Sequence, residues 1–204
     1  MRSAPFLLAI LLIAAPAWGQ ESPAPPAAAP APSGPRVVIA TAMGDITLAL
    51  DPARAPATVK NFLRYAKEGH YTGTVVYRVV PGFLIQAGSW DAQGHGRPGH
   101  KGIALESDNG LANVRGAVAM AHGDDPLSTM AEFFIDLADN PSLDRHPGDP
   151  PNSGFTVFGR VVAGMDVVDA IAKVPLGDNG PMKGQAPVEP IAITKVTILP
   201  APAP

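Results

Sequence analysis

The sequence predicts a mainly β domain, and two observations lead to that class. From Arg36 onward, short alternating or continuously apolar runs recur, each bounded by Gly, Pro, Asp or Asn. Only two segments show helical periodicity. Many short strands with few helices are typical of a closed antiparallel barrel or of a sandwich, with the helices covering the open ends.

The first elements are a hairpin and a helix. Residues 36 to 50 are expected to form a hairpin, because RVVIATA and DITLAL flank a Met-Gly turn. The segment PATVKNFLRYAKEG follows, with a proline suited to the first helical turn and a glycine suited to the C-terminal cap. Its apolar side chains share one face at helical spacing: Val59, Phe62, Leu63 and Ala66.

The later elements are mostly strands. Period-2 alternation and flanking turn residues predict strands over five ranges: 74–80, 83–88, 116–121, 132–137 and 155–162. MDVVDAIAK, residues 165 to 173, is expected to form a second short helix, and IAITKVTIL near the end alternates as a closing strand.

The two ends of the chain differ in composition from the rest. Residues 1–19 resemble a cleaved signal peptide, because a short apolar run with a small-x-small end is shorter than the ~20 residues that cross a bilayer. Residues 20–35 are almost wholly Pro and Ala and predict a disordered linker. This leaves one domain over 36–200 and a tail over 201–204. The mature chain is expected to be periplasmic or otherwise exported, without a membrane span.

Composition and motifs exclude several kinds of chemistry. The formal charge is -3 with no basic run, which argues against nucleic acid as a partner. The chain has no cysteine, which excludes disulfides, thiol catalysis and a lipid-anchoring cysteine after the apolar run. There is no G-x-S-x-G setting for a hydrolase, and His95 and His100 lack a third metal ligand at a recognisable spacing. No cofactor or metal is expected.

GHGRPG, residues 94–99, matches the G-x-G-x-x-G pattern of dinucleotide-binding loops. That pattern is informative only where the loop follows a buried strand and opens a helix, and Pro98 with HKGIALE does not look like a helix start. The segment is interpreted as a flexible loop.

Arg78 stands inside the otherwise apolar or aromatic run VVYRVV, with no acidic residue nearby in sequence. Buried charges are costly unless they are paired or hydrogen-bonded. Arg78 therefore either faces solvent, which is usual for a strand arginine, or has a functional role.

The stretches YRVVPGFLIQAG, RGAVAMAH, EFFI, the Leu143-Asp144 step and FTVFGRVVAGMDVVDAI resemble the cyclophilin family of peptidyl-prolyl isomerases. With the helix NFLRYAKEGHY, the resemblance covers nearly all of residues 36–199 and is greatest to the bacterial periplasmic branch. It implies a closed eight-stranded antiparallel β-barrel capped by two α-helices. It also implies proline-containing polypeptides as partners and a monomeric protein.

The resemblance also implies roles for individual residues. Arg78 matches the family's catalytic donor, Gln86 a residue that hydrogen-bonds the substrate backbone, and Ala121, His122 and Gly123 the strand edge along which the substrate lies. Four residues match the proline pocket, although each alone would be interpreted as plain core: Phe83, Leu84, Phe134 and Leu143.

The chain departs from the family pattern at several site positions. Tyr77 and Phe155 stand where histidines are usual, Leu84 where a methionine is usual, and Ser142 where an aromatic residue is usual. Glu132 replaces a glutamine, and its carboxylate could form an ion pair with Arg78 that either orients the guanidinium or holds it away from substrate.

Three functions remain open at this point. The first is an exported peptidyl-prolyl cis-trans isomerase that assists protein folding. The second is a low-turnover module of the same fold that binds proline peptides or acts as a holdase chaperone. The third is an assembly scaffold tethered by its Pro/Ala spacer. Arg78, Phe83, Gln86 and Phe134 favour the enzyme, whereas Glu132 favours the binding module.

Overall fold

A computed structural model of the chain describes residues 32, 34–125 and 127–200. The predicted signal peptide 1–19, most of the linker 20–35 and the tail 201–204 lie outside the described residues. Two residues assigned to the linker already contact the sheet. Gly34 is buried, and the carbonyl oxygen of Pro35 accepts a hydrogen bond from the Leu50 N–H at 3.1 Å. The contacts of the domain thus begin before Arg36.

The main sheet contains eight antiparallel strands, in the order β10-β1-β2-β7-β5-β6-β4-β3. Their bounds are β1 (Arg36–Thr41), β2 (Gly44–Leu50), β3 (Val76–Val80), β4 (Leu84–Ala87), β5 (Ala117–Met120), β6 (Phe133–Asp136), β7 (Thr156–Ala163) and β10 (Ile193–Leu199). A separate short pair consists of β8 (Leu176–Gly177) and β9 (Ala186–Pro187). The predicted strands are present with bounds shifted by at most two residues, whereas the short pair was not predicted.

Two helices, α1 (Pro56–Lys67) and α2 (Met165–Ile171), accompany the sheet as predicted. Proline begins α1 because its missing N–H would have no partner in the first turn. A 3₁₀ turn at Pro141–Leu143, which the sequence analysis missed, follows β6. Within the described ranges, no helix combines the length and the apolar character needed to cross a membrane.

The sheet is an open, curled half-barrel, so the predicted closed barrel is wrong in this respect. β3 and β10 are its two edge strands. The segment that faces β3 contains Pro187 and Pro190, which have no N–H to donate to a neighbouring strand. It contacts the edge through separate bonds instead, such as the one from the Val79 N–H to the Gln185 carbonyl at 2.7 Å. Irregular chain therefore covers the gap.

The main core lies inside the curl, between the sheet and the helices. Phe62 of α1 is fully buried there, and its ring centroid lies 5.1 Å from that of Tyr71, 5.5 Å from that of Phe133 and 5.1 Å from that of Phe158. Burying a side chain of this kind contributes roughly 1.5–3 kcal/mol to folding.

A second apolar cluster lies on the outer face of the same sheet. Side chains alternate between the faces of a strand, so Ile85 points into the core while Leu84 points outward. The buried members of the outer cluster are Leu84, Ala117, Ala119, Phe134 and Val157. An apolar outer face must either be covered by other parts of the chain or serve as a binding surface.

A bulge in β3 changes the direction of its side chains. Val76 pairs with Ala87, and Arg78 pairs with Gln86, so Tyr77 is an extra residue without a partner of its own in β4. Such a bulge interrupts the alternation of the strand. Tyr77 and Arg78 consequently both reach the outer face, although they are consecutive.

Candidate active site

A cavity of about 650 Å³ opens on the outer face of the sheet, within the range of ~300–1,000 Å³ typical of ligand sites. Its wall includes twelve of the thirteen site positions that the resemblance singled out, all except Ser142. These are Tyr77, Arg78, Phe83, Leu84, Gln86, Ala121, His122, Gly123, Glu132, Phe134, Leu143 and Phe155. Five of them lie in strands β3, β4 and β6, and the others lie in segments next to the strands or in the 3₁₀ turn.

One side of the cavity is apolar. Phe134 lies buried at its floor, and its ring meets that of Phe155 edge to face, with centroids 5.4 Å apart and planes at 81°. Phe83 and Leu143 are half-buried and pack against the same outer cluster. Leu84 conserves the volume of the methionine that is usual in the family, so its substitution is expected to be tolerated. This side can hold an apolar ring away from water.

Arg78 faces this cavity and is held by two neutral amides. Its Nε donates to Gln185 Oε1 at 2.7 Å, and its Nη1 donates to Gln86 Oε1 at 3.1 Å. In the part of the chain that the structure describes, its Nη2 has no hydrogen-bond partner. Because amide oxygens carry no net charge, the guanidinium is oriented without being neutralised. Arg78 can therefore donate to an electron-rich atom in the cavity.

Glu132 does not form an ion pair with Arg78, so that hypothesis is wrong. Its carboxylate accepts hydrogen bonds from the Tyr77 hydroxyl at 2.7 Å, the Trp90 indole at 3.0 Å and the Gln86 amide at 3.2 Å. The physical reason is position, since Gln86 stands between the carboxylate and the guanidinium and bonds to both.

The carboxylate nevertheless determines how Gln86 is oriented. A carboxylate can only accept hydrogen bonds, so Gln86 must turn its NH2 group toward Glu132 and its oxygen toward Arg78. Tyr77 stays a donor, because burial, and after it the adjacent Glu132 carboxylate, raises the pKa of its hydroxyl well above the usual value.

The segment from Ala121 to Gly123 forms another part of the wall, and two of its N–H groups are already used. The Ala121 N–H donates to the Glu132 carbonyl and the Gly123 N–H to the Ser128 hydroxyl, each at 2.8 Å. A peptide lying here would have to bond to other groups of the segment. The ring of His122 stacks near Phe155, with centroids 4.6 Å apart.

Several wall residues were missed by the sequence analysis. The segment 94–99 is a loop, as expected, but its Gly96, Arg97 and Gly99 line the cavity. Trp90 does so as well, and a signal for it existed, because it lies two residues after the motif that carries Arg78. Gln185, which contacts Arg78 but does not line the cavity, had no such signal. Across the described ranges, no three His, Asp or Glu side chains come together to hold a metal ion.

Asp136 lies on the outer side of β6, fully buried, and was also missed. Its Oδ1 accepts from Asn140 Nδ2 through a short hydrogen bond of 2.6 Å, while its Oδ2 has no partner among the described residues. Burial raises the pKa of this carboxyl to about 7, with smaller contributions from Asp144 and Asp139, and the Asn140 bond opposes the shift. Asn140 also donates to the Phe83 carbonyl at 2.9 Å.

An apolar pocket beside an arginine held by neutral amides, on one face of a curled sheet, is the arrangement expected of a prolyl isomerase. The family description "Cyclophilin type peptidyl-prolyl cis-trans isomerase/CLD" matches residues 36–198. The chain belongs to this family.

Known relatives and structures agree with that assignment. Peptidyl-prolyl cis-trans isomerase A of Dickeya dadantii is 40% identical over 163 residues, which are 80% of this chain and 84% of that protein. Isomerase B of Escherichia coli is 41% identical over 162 residues, 79% of this chain and 98% of that protein. A crystal structure of a cyclophilin-type isomerase from Cryptosporidium parvum shares the fold, with a TM-score of 0.66, 24% identity, and coverage of 83% of this chain and 99% of that one.

Proposed function

We propose that this chain catalyses cis-trans isomerisation of X-Pro bonds in exported polypeptides and so assists their folding outside the cytoplasm. The observation that carries the proposal is Arg78, which two neutral amides orient beside an apolar pocket without cancelling its charge. Family membership supports the activity. The signal-like composition of residues 1–19 supports the place of action.

The reaction is suited to such a site because it requires no covalent chemistry. Rotation about an X-Pro bond breaks the amide resonance, and the prolyl nitrogen becomes pyramidal and basic in the twisted state. A fixed donor aimed at that nitrogen binds the twisted state better than either planar isomer. Each tenfold gain in rate requires about 1.4 kcal/mol of such preference.

In this proposal Arg78 is the donor, and Phe83, Leu84, Phe134 and Leu143 grip the proline ring. Gln86 also bridges Glu132 and Arg78, because its NH2 group donates to the Glu132 carboxylate and its oxygen accepts from the Arg78 guanidinium.

The direct test is exchange spectroscopy by NMR on an Ala-Pro peptide with the purified protein. We expect isomer exchange faster than the uncatalysed rate. Shifts in the peptide spectrum without accelerated exchange would contradict the enzyme and leave the binding module or holdase as the function of this fold.

Glu132→Gln is expected to keep or raise catalytic efficiency. A glutamine oxygen in the place of Oε2 can accept from both Gln86 and Tyr77, so the chain of bonds to Arg78 survives and only the Trp90 indole, which donates to Oε1, loses its acceptor. Glu132→Leu keeps the bulk but leaves Tyr77, Trp90 and Gln86 without an acceptor. It should lower kcat/KM by about tenfold, the effect of one typical hydrogen bond. The same exchange measurement compares the two variants.

If the glutamine variant is as impaired as the leucine variant, the negative charge itself matters, and the bridging role assigned to Gln86 is incorrect.

Deletion of residues 20–33 is expected to leave both activity and melting temperature unchanged, because a Pro/Ala tract has little apolar surface to pack. Extending the deletion through Pro35 should lower the melting temperature, since it removes the acceptor of the Leu50 N–H. Thermal unfolding of the two truncated proteins provides the comparison. Loss of activity in the shorter deletion would indicate that the tract docks on the domain.

A further inference from the structure

Gln185 lies beside Arg78 although the two are 107 positions apart in sequence. Its side-chain oxygen accepts from Arg78 Nε, and its backbone oxygen accepts from the N–H of Val79, each at 2.7 Å. The residue is thus attached to two consecutive residues of β3. Residues 178–187, which carry it, are called the glutamine loop below.

The glutamine loop is held in place by its own contacts. Asp178 Oδ1 accepts from the Gly184 N–H at 2.7 Å, which closes the loop across its base. Gly180 packs so closely on β3 that a Cβ there would lie 3.2 Å from the Tyr77 carbonyl oxygen. The loop therefore presents Gln185 from a defined position rather than as a free side chain.

This contact restricts the guanidinium in a way that Gln86 alone cannot. A single hydrogen bond at Nη1 would let the arginine side chain swing about that contact. A second bond at Nε, from the opposite side of β3, fixes the plane of the guanidinium. The Nη2 group, which has no hydrogen-bond partner among the described residues, is then held in a fixed position.

We propose that Gln185 is a positioning residue for the isomerase reaction, holding the Arg78 guanidinium so that its free N–H groups can meet the prolyl nitrogen. The inference rests on the proposed function. It adds a residue that does not line the cavity and that acts on the site through its bond to Arg78 Nε.

The matched substitution is Gln185→Met, which keeps the length of the side chain and removes the acceptor. We expect kcat to fall about five- to tenfold with KM nearly unchanged, the effect of one lost hydrogen bond felt in the transition state. Gln185→Glu keeps an acceptor but adds a negative charge beside the guanidinium, so its activity should lie between that of the methionine variant and that of the wild type. Gln93→Met, at an exposed position outside the site, should behave as wild type.

Two further readouts separate positioning from a structural role. The ¹⁵N–¹H signal of Arg78 Nε, assigned by its disappearance in Arg78→Lys, should move toward the position of solvated arginines in Gln185→Met and stay shifted in Gln185→Glu. In an Arg78→Lys background, which lacks Nε, Gln185→Met should cause no additional loss of rate.

The possible outcomes test the positioning role of Gln185 separately from the proposed isomerase function. An active wild type with unchanged kcat and an unchanged Nε signal in Gln185→Met would overturn the inference alone. An equal loss of rate in the Arg78→Lys background would do the same, because it would show a structural role. A wild type that binds the peptide but does not exchange it would overturn the proposed function and this inference with it.

Discussion

Arg78→Ala lowers the rate of catalysed prolyl exchange by about 100-fold or more, while the protein stays folded. Removing one preorganised donor from a site that stabilises developing charge costs roughly 10²–10³ in kcat. Arg78 is half-buried and its bonds go to two amides, so its loss leaves no buried ion without a partner. Exchange NMR gives the rate, and circular dichroism shows whether the fold is kept.

Two companion variants sharpen this result. Arg78→Lys keeps a positive charge but lacks the Nε donor and the planar fork, so it should fall between wild type and alanine. Arg36→Ala removes the same charge from an exposed strand position and should have wild-type activity. If the lysine variant equals wild type, charge alone suffices, and the orientation of the guanidinium is irrelevant.

The second large effect is expected at Asp136, where Asp136→Asn should abolish a loss of stability that the wild type shows as pH rises. Folding raises the pKa of this carboxyl from about 3.9 to about 7. The folded state therefore holds a proton that the unfolded state has already released, and stability falls with rising pH between these two values. The loss is complete above about pH 7 and amounts to roughly 4 kcal/mol at most.

Urea unfolding of both proteins from pH 4 to pH 8 measures this difference. The free energy of unfolding of the wild type, relative to the variant, should decrease across that range and then level off. Asp45→Asn, which removes an exposed strand carboxylate, controls for the change in net charge. A difference that does not vary with pH would mean that Asp136 is ionised and stabilised in the fold.

Local pattern was sufficient to predict the strands of the main sheet and the two α-helices, because the strands are short apolar or alternating runs, the helices are amphipathic, and turn residues bound them. The openness of the sheet was not predictable in this way. It depends on which segment of the chain lies against β3. The contacts of Gln185 and Ile191 with that strand join residues far apart in sequence. The resemblance to the family predicted a closed barrel. In this chain the sheet is open, and the segment with Pro187 and Pro190 lies over the gap.

The candidate site was predictable where its residues lie in the motifs that carry the resemblance, such as Arg78 and Phe134. It was not predictable where tertiary contact alone makes the residue relevant. Gln185 has no neighbouring motif, and Glu132 was matched to the wrong partner, because the intervening position of Gln86 exists only in the folded sheet. Asp136 looked like one polar residue in an apolar strand, and nothing local shows that its carboxylate lacks a second donor.

The cover over β3 also bears on aggregation. An uncovered edge strand exposes N–H and C=O groups that can template the addition of a foreign strand. Here the N–H groups of Val76 and Val79 already donate to Ile191 and Gln185, at 2.9 and 2.7 Å. These two N–H groups are thereby closed to pairing with a strand of another chain, and this edge of the sheet is protected against strand addition.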